Sequence, residues 1–282
     1  MTVSAPDQDD FFIRFHGVRG TIPCPGNEYA RYGGNTSCIE LRCGGHLFIL
    51  DAGTGLRQLG IELGAEGLID TDILLTHTHI DHIVGMPFFI PMFRPGNKIR
   101  VHAGHLWDNE ERLQQVFLRM IATPIFPVPL EALAADIVFK EFRAGDTLTL
   151  RKNVTIRTAP LNHPNGATGY RIEHGGKSIC YVTDTEHVEG KVDANILSLI
   201  RGADIFIYDA TYTTEEYPDF KGWGHSTWEV GAELATLAEV GRYVIFHHAP
   251  DHTDSDMDLI ADRSRIKFEA SIVAREGLII RP

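Results

Sequence analysis

Three histidines and one aspartate are crowded into one short stretch, T-H-T-H-I-D-H, as His77, His79, Asp81 and His82. The apolar run at 73–75 that precedes them is typical of a buried strand. Since alternate side chains of an extended chain share a face, His77, His79 and Asp81 are predicted to point the same way. His82 would turn back toward them as a helix begins near Ile83. Imidazole and carboxylate groups are ligands that Zn²⁺ prefers and that Mn²⁺ or Fe²⁺ tolerate, so the stretch predicts a metal site at a strand end.

The composition suits a protein with a large buried core and narrows the range of its partners. With 282 residues and 43% hydrophobic side chains, the chain is long enough for one α/β domain or two. Its formal net charge of -12 disfavours a broad interface with nucleic acid, which needs Lys and Arg facing the phosphates. A small phosphorylated substrate held by metal ions is compatible with that charge, whereas an extended nucleic acid is not expected.

The sequence shows no signal for export or membrane insertion. The first residues, M-T-V-S-A-P-D-Q-D-D, contain neither the basic nor the apolar segment of a signal peptide. No apolar run approaches the length of a membrane-spanning helix. The four cysteines are scattered without a C-x-x-C pair, which is typical of reduced thiols and disfavours a zinc–thiolate site. We therefore expect a cytoplasmic protein without a membrane partner.

The order of the predicted elements divides the chain into two comparable halves. Residues 1–10 are polar and acidic and are predicted to be disordered, while residues 11–282 are expected to form the folded domain. In each half, strands come first and helices follow, although no repeat of fixed period is visible. Helices are predicted at 106–121 and 256–275, among others. The proline-rich connector at 123–130 is either a simple loop or a contact with a second subunit, so a homodimer is a candidate assembly.

Histidines and aspartates recur where the later strands are predicted to end or a helix to begin. They are His163, Asp184, Asp209, His225 and His247. Strand ends hold such side chains rigidly while the loops admit a substrate. A lone histidine there is more often structural, but a series in this order indicates a shared site. Of the neighbours His247 and His248, the first emerges directly from the strand and is the favoured ligand. Asp51, in D-A-G-T-G, is interpreted as a group that orients a ligand.

The series H-T-H-I-D-H, His163, T-D-T and His247 resembles the metallo-β-lactamase superfamily over about residues 11–282. The resemblance implies an α/β fold, a four-layer αββα sandwich with a two-metal site between its sheets. It also implies a set of ligands: His77, His79 and His163 for one metal, Asp81, His82 and His247 for the second, and Asp184 for both. A histidine at position 79, where the di-iron flavoprotein branch has glutamate, favours zinc, with manganese or iron as alternatives.

Two further motifs, Y-D-A-T-Y and G-H-S-T-W, resemble loops of the phosphodiesterase branch of that superfamily. This branch includes ribonuclease Z and cyclic-nucleotide phosphodiesterases. The resemblance implies that His225 protonates the leaving oxygen and that Asp209 orients it. The acidic residue is aspartate here and glutamate in that branch, so its reach is shorter. His225, Asp209 and Asp81 are the expected catalytic residues.

These motifs predict a metal-dependent hydrolase that cleaves a phosphodiester, such as a cyclic nucleotide or another small diester. Two divalent ions about 3.5–4 Å apart can clamp such a group and activate water, whose pKa falls to about 7 on a metal. Arg19 and Asn35, in Gly-rich segments, are candidate substrate contacts, with a loop brace as the alternative for Arg19. Three other functions stay open: an RNA endonuclease resembling ribonuclease Z, a thioester or lactone hydrolase, and a ligand-sensing protein without turnover.

Overall fold

The computed structural model describes residues 10–282, and within them the chain forms fourteen strands and six α-helices. Of residues 1–10, for which disorder is predicted, residues 1–9 lie outside the described part, and the carbonyl oxygen of Asp10 accepts a hydrogen bond from the Gly44 N–H at 3.2 Å. The strands are β1 (Phe11–Gly17), β2 (Cys38–Cys43), β3 (His46–Leu50), β4 (Asp70–Leu75), β5 (Lys98–Ala103), β6 (Asp136–Glu141), β7 (Thr147–Arg151), β8 (Val154–Leu161), β9 (Ala167–His174), β10 (Lys177–Val182), β11 (Ile205–Asp209), β12 (Tyr243–Phe246), β13 (Ser271–Val273) and β14 (Ile279–Ile280). The α-helices are α1 (Gly55–Glu66), α2 (Ile80–Ile83), α3 (Leu113–Met120), α4 (Ala194–Ile200), α5 (Trp228–Leu237) and α6 (Asp254–Lys267). Short 3-10 helices lie at Asn27–Tyr29, Met86–Phe88, Ile90–Phe93, Leu130–Ala132 and Tyr217–Asp219.

Two seven-stranded sheets share one plan. The first has the order β14-β1-β2-β3-β4-β5-β6 and the second the order β13-β12-β11-β10-β9-β8-β7. In each sheet antiparallel strands come first along the chain. Parallel strands then follow, from β3 to β6 in the first sheet and from β10 to β13 in the second. The chain crosses between edge strands of the two sheets at 142–146 and again at 274–278.

Three apolar layers hold the sandwich together. The middle layer lies between the sheets and includes Phe15 and Leu74 from the first sheet and Tyr181 and Phe246 from the second. The outer layers bury α1 and α3 against the first sheet and α4, α5 and α6 against the second. The protein is thus an α/β protein with the four-layer αββα sandwich predicted from the sequence. Because the central parallel strands are buried on both faces, they read as continuous apolar runs, as at 73–75.

The helix expected at 106–121 is shorter in the structure. The residues before α3 form turns, and the helix begins at Leu113. Arg112 and Gln115 cap its start, since the Arg112 backbone N–H donates to Oε1 of Gln115 at 3.0 Å. The apolar periodicity therefore begins at residue 106, whereas the helix itself begins at Leu113.

The helix expected at 256–275 contains two elements. It begins as α6 after Thr253, whose N–H donates to the Asp256 carboxylate at 2.8 Å in a capping box. It ends at Lys267, and its predicted last turns are β13, a strand that pairs in parallel with β12. The prediction was wrong there because pairing with β12, a contact distant in sequence, determines the conformation.

Two observations concern possible partners, namely a membrane and a second subunit. No helix within residues 10–282 is long and apolar enough to span a membrane. In the connector at 123–130, Ile125 and Leu130 expose 75% and 47% of their surface. The homodimer proposed for this connector stays a prediction.

All four cysteines are buried and unpaired, as expected for reduced thiols.

Candidate metal centre

The expected ligands converge at strand ends from both sheets. From the first sheet, β4 leads into His77 and His79, and α2 follows directly with Asp81 and His82. From the second sheet, β8 is followed by His163, β10 by Asp184 and β12 by His247. The fold thereby brings together seven side chains that are widely separated in the sequence.

Asp184 lies between two groups of histidines. Its Oδ1 is 3.7 Å from Nε2 of His77 and 3.7 Å from Nε2 of His163. Its Oδ2 is 3.2 Å from Nε2 of His82 and 3.4 Å from Nε2 of His247. One carboxylate oxygen therefore faces each group, which is a suitable position for a ligand shared by two cations.

Two sets of three donors are close enough to share one ion each. Their ligand atoms lie within 4.8 Å of one another, and the sets are His77, His79 and His163, and Asp81, His82 and His247. In the second set, Nε2 of His82 lies 3.2 Å from Nε2 of His247 and 3.3 Å from Oδ2 of Asp81. Such separations suit ligand atoms that each lie about 2.0–2.2 Å from a common ion.

Two buried atoms at the centre of the cluster have no hydrogen-bond partner among residues 10–282. They are Nε2 of His77 and Oδ2 of Asp184. A buried polar atom left unpaired costs about 1–3 kcal/mol, and a charged one costs more. Bound cations would satisfy both atoms. The site therefore fits a pair of divalent ions through its unpaired atoms as well as through its ligand types.

Asp51 orients the ligands of the first sheet. Its carboxylate accepts hydrogen bonds from the N–H and hydroxyl of Thr76, from Nδ1 of His82 and from the hydroxyl of Tyr181, at 2.7–2.9 Å. The Thr76 hydroxyl in turn lies 3.0 Å from Nδ1 of His77. Because the Thr76 hydroxyl donates to Asp51, it accepts from His77. Both histidines then carry a proton on Nδ1 and present a free lone pair on Nε2, which is the form that binds a metal.

The ligands of the second sheet are oriented in the same way. Nδ1 of His163 donates to the carbonyl oxygen of Gly224 at 2.8 Å. Nδ1 of His247 lies 3.0 Å from the hydroxyl of Thr211, which donates to Asp209 at 2.8 Å and therefore accepts from the ring. Nε2 is again the atom left for a metal in both rings. Four imidazoles thus share one orientation, with Nδ1 paired within the protein and Nε2 directed to the site.

Three residues at these strand ends have a left-handed backbone, namely Asp51, Asp184 and His247, with φ of 56, 59 and 62°. For residues other than glycine this conformation costs about 1–2 kcal/mol each. Such strain persists where the surrounding structure enforces it, and it concentrates at functional sites. In all three cases it redirects a side chain as the chain leaves a buried strand.

The protonation states of most of these groups suit metal binding. His82 is the exception, because the carboxylates of Asp184, Asp81 and Asp51 outweigh burial and raise its pKa well above the usual range, so a cation would displace a proton from this ring. Burial lowers the pKa of His77, His79 and His163, so these rings are neutral at pH 7. Burial alone would raise the pKa of Asp81 and Asp184, but the neighbouring imidazoles outweigh it and hold both well below the usual range. Neutral imidazoles and ionised carboxylates are the forms in which these groups bind metals.

His225 and Asp209 form a hydrogen-bonded pair beside the cluster. Nδ1 of His225 lies 2.9 Å from Oδ2 of Asp209 and 3.9 Å from Oδ1 of Asp184. Burial lowers the pKa of His225, but the Asp209 carboxylate outweighs this effect and raises the pKa to about 9. His163, Asp184 and His225 are also close enough to share an ion. The bond from Nδ1 to Asp209, however, leaves Nε2 as the ring atom available for other contacts.

Comparison with known proteins identifies the family. Residues 46–248 match the model of the beta-lactamase superfamily domain, which covers more than half of the chain. The chain belongs to the metallo-β-lactamase superfamily. The family match and the cluster of candidate ligands together identify the chain as a metal-dependent hydrolase of this superfamily.

Individual relatives refine this metallo-β-lactamase assignment. Ribonuclease Z of Bradyrhizobium sp. (strain ORS 278) is 26% identical over 94% of this chain and 98% of its own length. The metallo-beta-lactamase fold protein YhfI from Bacillus subtilis superimposes with a TM-score of 0.72 at 18% identity, over 97% of this chain and 100% of that one. A diphosphatase of the PhnP family gives a TM-score of 0.70 at 17% identity, over 97% and 98%. The branch predicted from the loops around Asp209 and His225 is thereby confirmed.

The side chain of Arg19 makes contacts within the protein and is not placed as a substrate contact. Its side chain is fully buried. The guanidinium donates to the carbonyl oxygens of Gly33, Ala249 and His252 at 2.6–3.1 Å. Arg19 is therefore a loop brace, the alternative considered for it, because its donors are directed to carbonyl oxygens of the protein.

Asn35 is likewise engaged within the protein. Its backbone N–H and its Nδ2 donate to the two carboxylate oxygens of Glu276, at 2.7 and 3.1 Å. Its Oδ1 accepts from the Thr54 hydroxyl at 3.0 Å. Both polar ends of the side chain are paired, so the expectation of a substrate contact is not supported by this geometry.

The structure also separates His248 from His247 and reveals residues that the sequence did not identify. His248 faces away from the ligands, with Nε2 2.8 Å from the carbonyl oxygen of Ala274. Thr76, Thr211 and the carbonyl of Gly224 each orient a histidine. Thr211 could have been found, since it belongs to the D-A-T motif selected for its aspartate. A backbone carbonyl that fixes a ring carries no signal in the sequence.

Proposed function

We propose that this metallo-β-lactamase superfamily member is a phosphodiesterase with two divalent ions, acting on a small diester such as a cyclic nucleotide. One ion would be held by His77, His79 and His163, the other by Asp81, His82 and His247, and both by Asp184. When bound, the ions supply positive charge opposite the phosphate oxygens and lower the pKa of water. The donor set suits Zn²⁺, with Mn²⁺ or Fe²⁺ as alternatives.

The pair of His225 and Asp209 is the observation that carries the proposal. Because Nδ1 of His225 is bound to Asp209, Nε2 is the atom that holds a transferable proton. As the bond between phosphorus and the leaving oxygen breaks, this proton passes to that oxygen, and an alcohol departs instead of an alkoxide. Asp209 keeps the ring oriented and stabilises the imidazolium. A positioned general acid contributes roughly 10²–10⁴-fold.

The size of the surrounding space supports a small substrate. Two cavities, of about 370 and 470 Å³, both reach His79. These volumes are within the range of sites for small molecules. The net charge of -12 also disfavours contact with a long phosphate backbone.

A second candidate function is cleavage of RNA, favoured by the relatives named ribonuclease Z. It would use the same ligands and the same general acid, so it differs in the substrate alone. A thioester hydrolase would need the metal ligands but not a proton donor, because a thiolate is a much better leaving group than an alkoxide. The pair of His225 and Asp209 therefore supports phosphodiester over thioester chemistry, and the comparison of substrates below separates a lactone, whose leaving group is also an alkoxide.

The experiment is a comparison of substrates with the purified protein in Zn²⁺ or Mn²⁺. We expect hydrolysis of bis-p-nitrophenyl phosphate and of cyclic nucleotides, little hydrolysis of a thioester or a lactone, and little cleavage of precursor transfer RNA. Preferred cleavage of the RNA would favour the second candidate. Hydrolysis of the thioester or lactone alone, or of none of these compounds, would refute the proposal.

A further inference from the structure

A cavity of about 370 Å³ opens beside His225 and the candidate metal ligands. Its polar wall is formed by His79, Asp81, Asp184 and His225. Its other wall includes Tyr212, Phe220, Trp223 and Pro250. Aromatic side chains therefore line the same cavity as His225, whose ring centroid lies 6.1 Å from that of Tyr212.

The aromatic wall is built as a unit. The rings of Tyr212 and Phe220 are stacked, with centroids 4.5 Å apart and planes at 7°. Trp223 meets Phe220 edge to face, at 5.5 Å and 86°. Trp223 itself exposes 63% of its surface, although a large apolar ring gains by being covered. One face of the wall is thus available to a flat partner.

The backbone that presents Trp223 is held on both sides. Glu186 accepts hydrogen bonds from the N–H of Gly222 and from the N–H of Gly224, each at 2.8 Å. The N–H of Trp223 donates to the carbonyl of Phe220 at 3.1 Å. An exposed ring on such a fixed turn is pre-organised, which reduces the entropy lost on binding.

The charge of the cavity limits what can lie there. Among its lining residues, all within the described chain, there is no Lys or Arg, and Asp251 adds a carboxylate. The neighbouring cavity that shares His79 is also lined by a pair of opposite charges, since Arg119 forms a salt bridge with Glu111 there. The aromatic cavity would repel a group that carries further phosphates but would accept a neutral one.

We propose that this cavity binds the leaving side of the substrate, as a neutral group with a planar aromatic ring of the nucleobase type stacked on Trp223. The inference rests on the proposed function, since it assigns the leaving side from the position of His225. Stacking on an aromatic side chain is worth about 1–3 kcal/mol per base, or roughly 5–150-fold in affinity.

The test is binding of adenosine to the metal-loaded protein, followed by tryptophan fluorescence and by competition with bis-p-nitrophenyl phosphate. We expect adenosine to quench the emission and to inhibit competitively, and ribose to do neither. In Trp223→Ala the affinity for adenosine should fall at least about fivefold. The KM for the diester should rise, while kcat changes less. Trp223→Phe should retain most of the affinity.

Trp107→Ala is the matched control, because Trp107 is another exposed tryptophan and does not line this cavity. It should bind adenosine like the wild type. Adenosine binding that is equal in wild type and Trp223→Ala would overturn the inference, even in an active phosphodiesterase. If the wild type hydrolyses no phosphodiester, the proposed function fails, and the assignment of this cavity to a leaving group fails with it. Adenosine binding that depends on Trp223 would then still identify a nucleobase site.

Discussion

At the scale of single residues, a partner on Nδ1 fixes the direction of four candidate ligand rings, those of His77, His82, His163 and His247. His82 is held by Asp51 and His163 by the Gly224 carbonyl, both through Nδ1 at 2.8 Å. This leaves Nε2 toward Asp184 in both rings. Partners of this kind typically change metal affinity or activity 10–100-fold when removed. His225 follows the same pattern, with the Asp209 carboxylate as its Nδ1 partner at 2.9 Å.

His225→Ala should lower turnover by roughly 10²–10⁴-fold on diesters with an alkyl leaving group, because the departing alkoxide then lacks a proton. The loss should be smaller with a p-nitrophenyl leaving group, which departs without one. Rates on both substrates and metal content of the purified variant are the measurements. An equal loss on both substrates, or a loss of metal, would show that His225 is not the acid.

Asp184→Asn should bind less than about half of the wild-type metal and lose activity, since an amide is a weaker ligand than a carboxylate shared by two ions. Metal analysis by mass spectrometry after dialysis measures this directly. Asp262→Asn, at an aspartate whose side chain is 80% exposed, is the control and should keep its full metal content. Unchanged metal in Asp184→Asn would contradict the assignment of this carboxylate.

At the scale of elements, one turn combines several tasks. The segment 222–226 carries the carbonyl that orients His163, the exposed ring of Trp223 and the imidazole of His225. Glu186 is its main support, through two backbone N–H groups, and it also accepts from the hydroxyl of Tyr217 at 3.1 Å. The position of this turn therefore depends on a carboxylate that, within residues 10–282, forms no hydrogen bond with a candidate metal ligand.

Glu186→Ala should lower kcat about tenfold and raise KM, because the turn loses both acceptors and His225 is less well placed. Glu186→Gln retains one acceptor and should recover part of the loss. The melting temperature should change little, which separates positioning from stability. Glu189→Ala, at a carboxylate paired on the surface with Lys221, is the control. Wild-type kinetics in Glu186→Ala would exclude this role.

The elements could be predicted from the sequence where the information was local. Apolar runs such as 73–75 predict the central strands, because a strand that is buried on both faces consists of consecutive apolar residues. The limits of α3 and α6 were wrong, because caps at Arg112 and Thr253 and the pairing of β13 with β12 involve contacts that periodicity does not report.

The same distinction applies to the candidate site. The positions of His77, His79 and Asp81 follow from alternation along an extended chain. The joining of His163 and Asp184 to them was expected from the family resemblance, since no local rule predicts it. The roles of Arg19 and Asn35 could not be predicted, because a polar residue in a Gly-rich loop can face the substrate or the protein.

At the scale of the whole molecule, bound metal should stabilise the fold, since the ligands come from both sheets. Binding at a thousand times the dissociation constant contributes about 4 kcal/mol. For a chain of this size that corresponds to a fall in Tm on the order of 10 °C when a chelator removes the ions. Calorimetry with and without the chelator measures it, with Asp184→Asn expected to respond less. A Tm insensitive to the chelator would argue that the ions do not link the sheets.

The two crossings at 142–146 and 274–278 join opposite edges of the sandwich, the first connecting β6 to β7 and the second β13 to β14. Two sheets connected along one edge could rotate apart about that edge, whereas two sheets connected along both edges cannot. Only the loops above the strand ends can therefore adjust to different substrates. The distance between the two cations would be determined by the two sheets and not by the bound substrate.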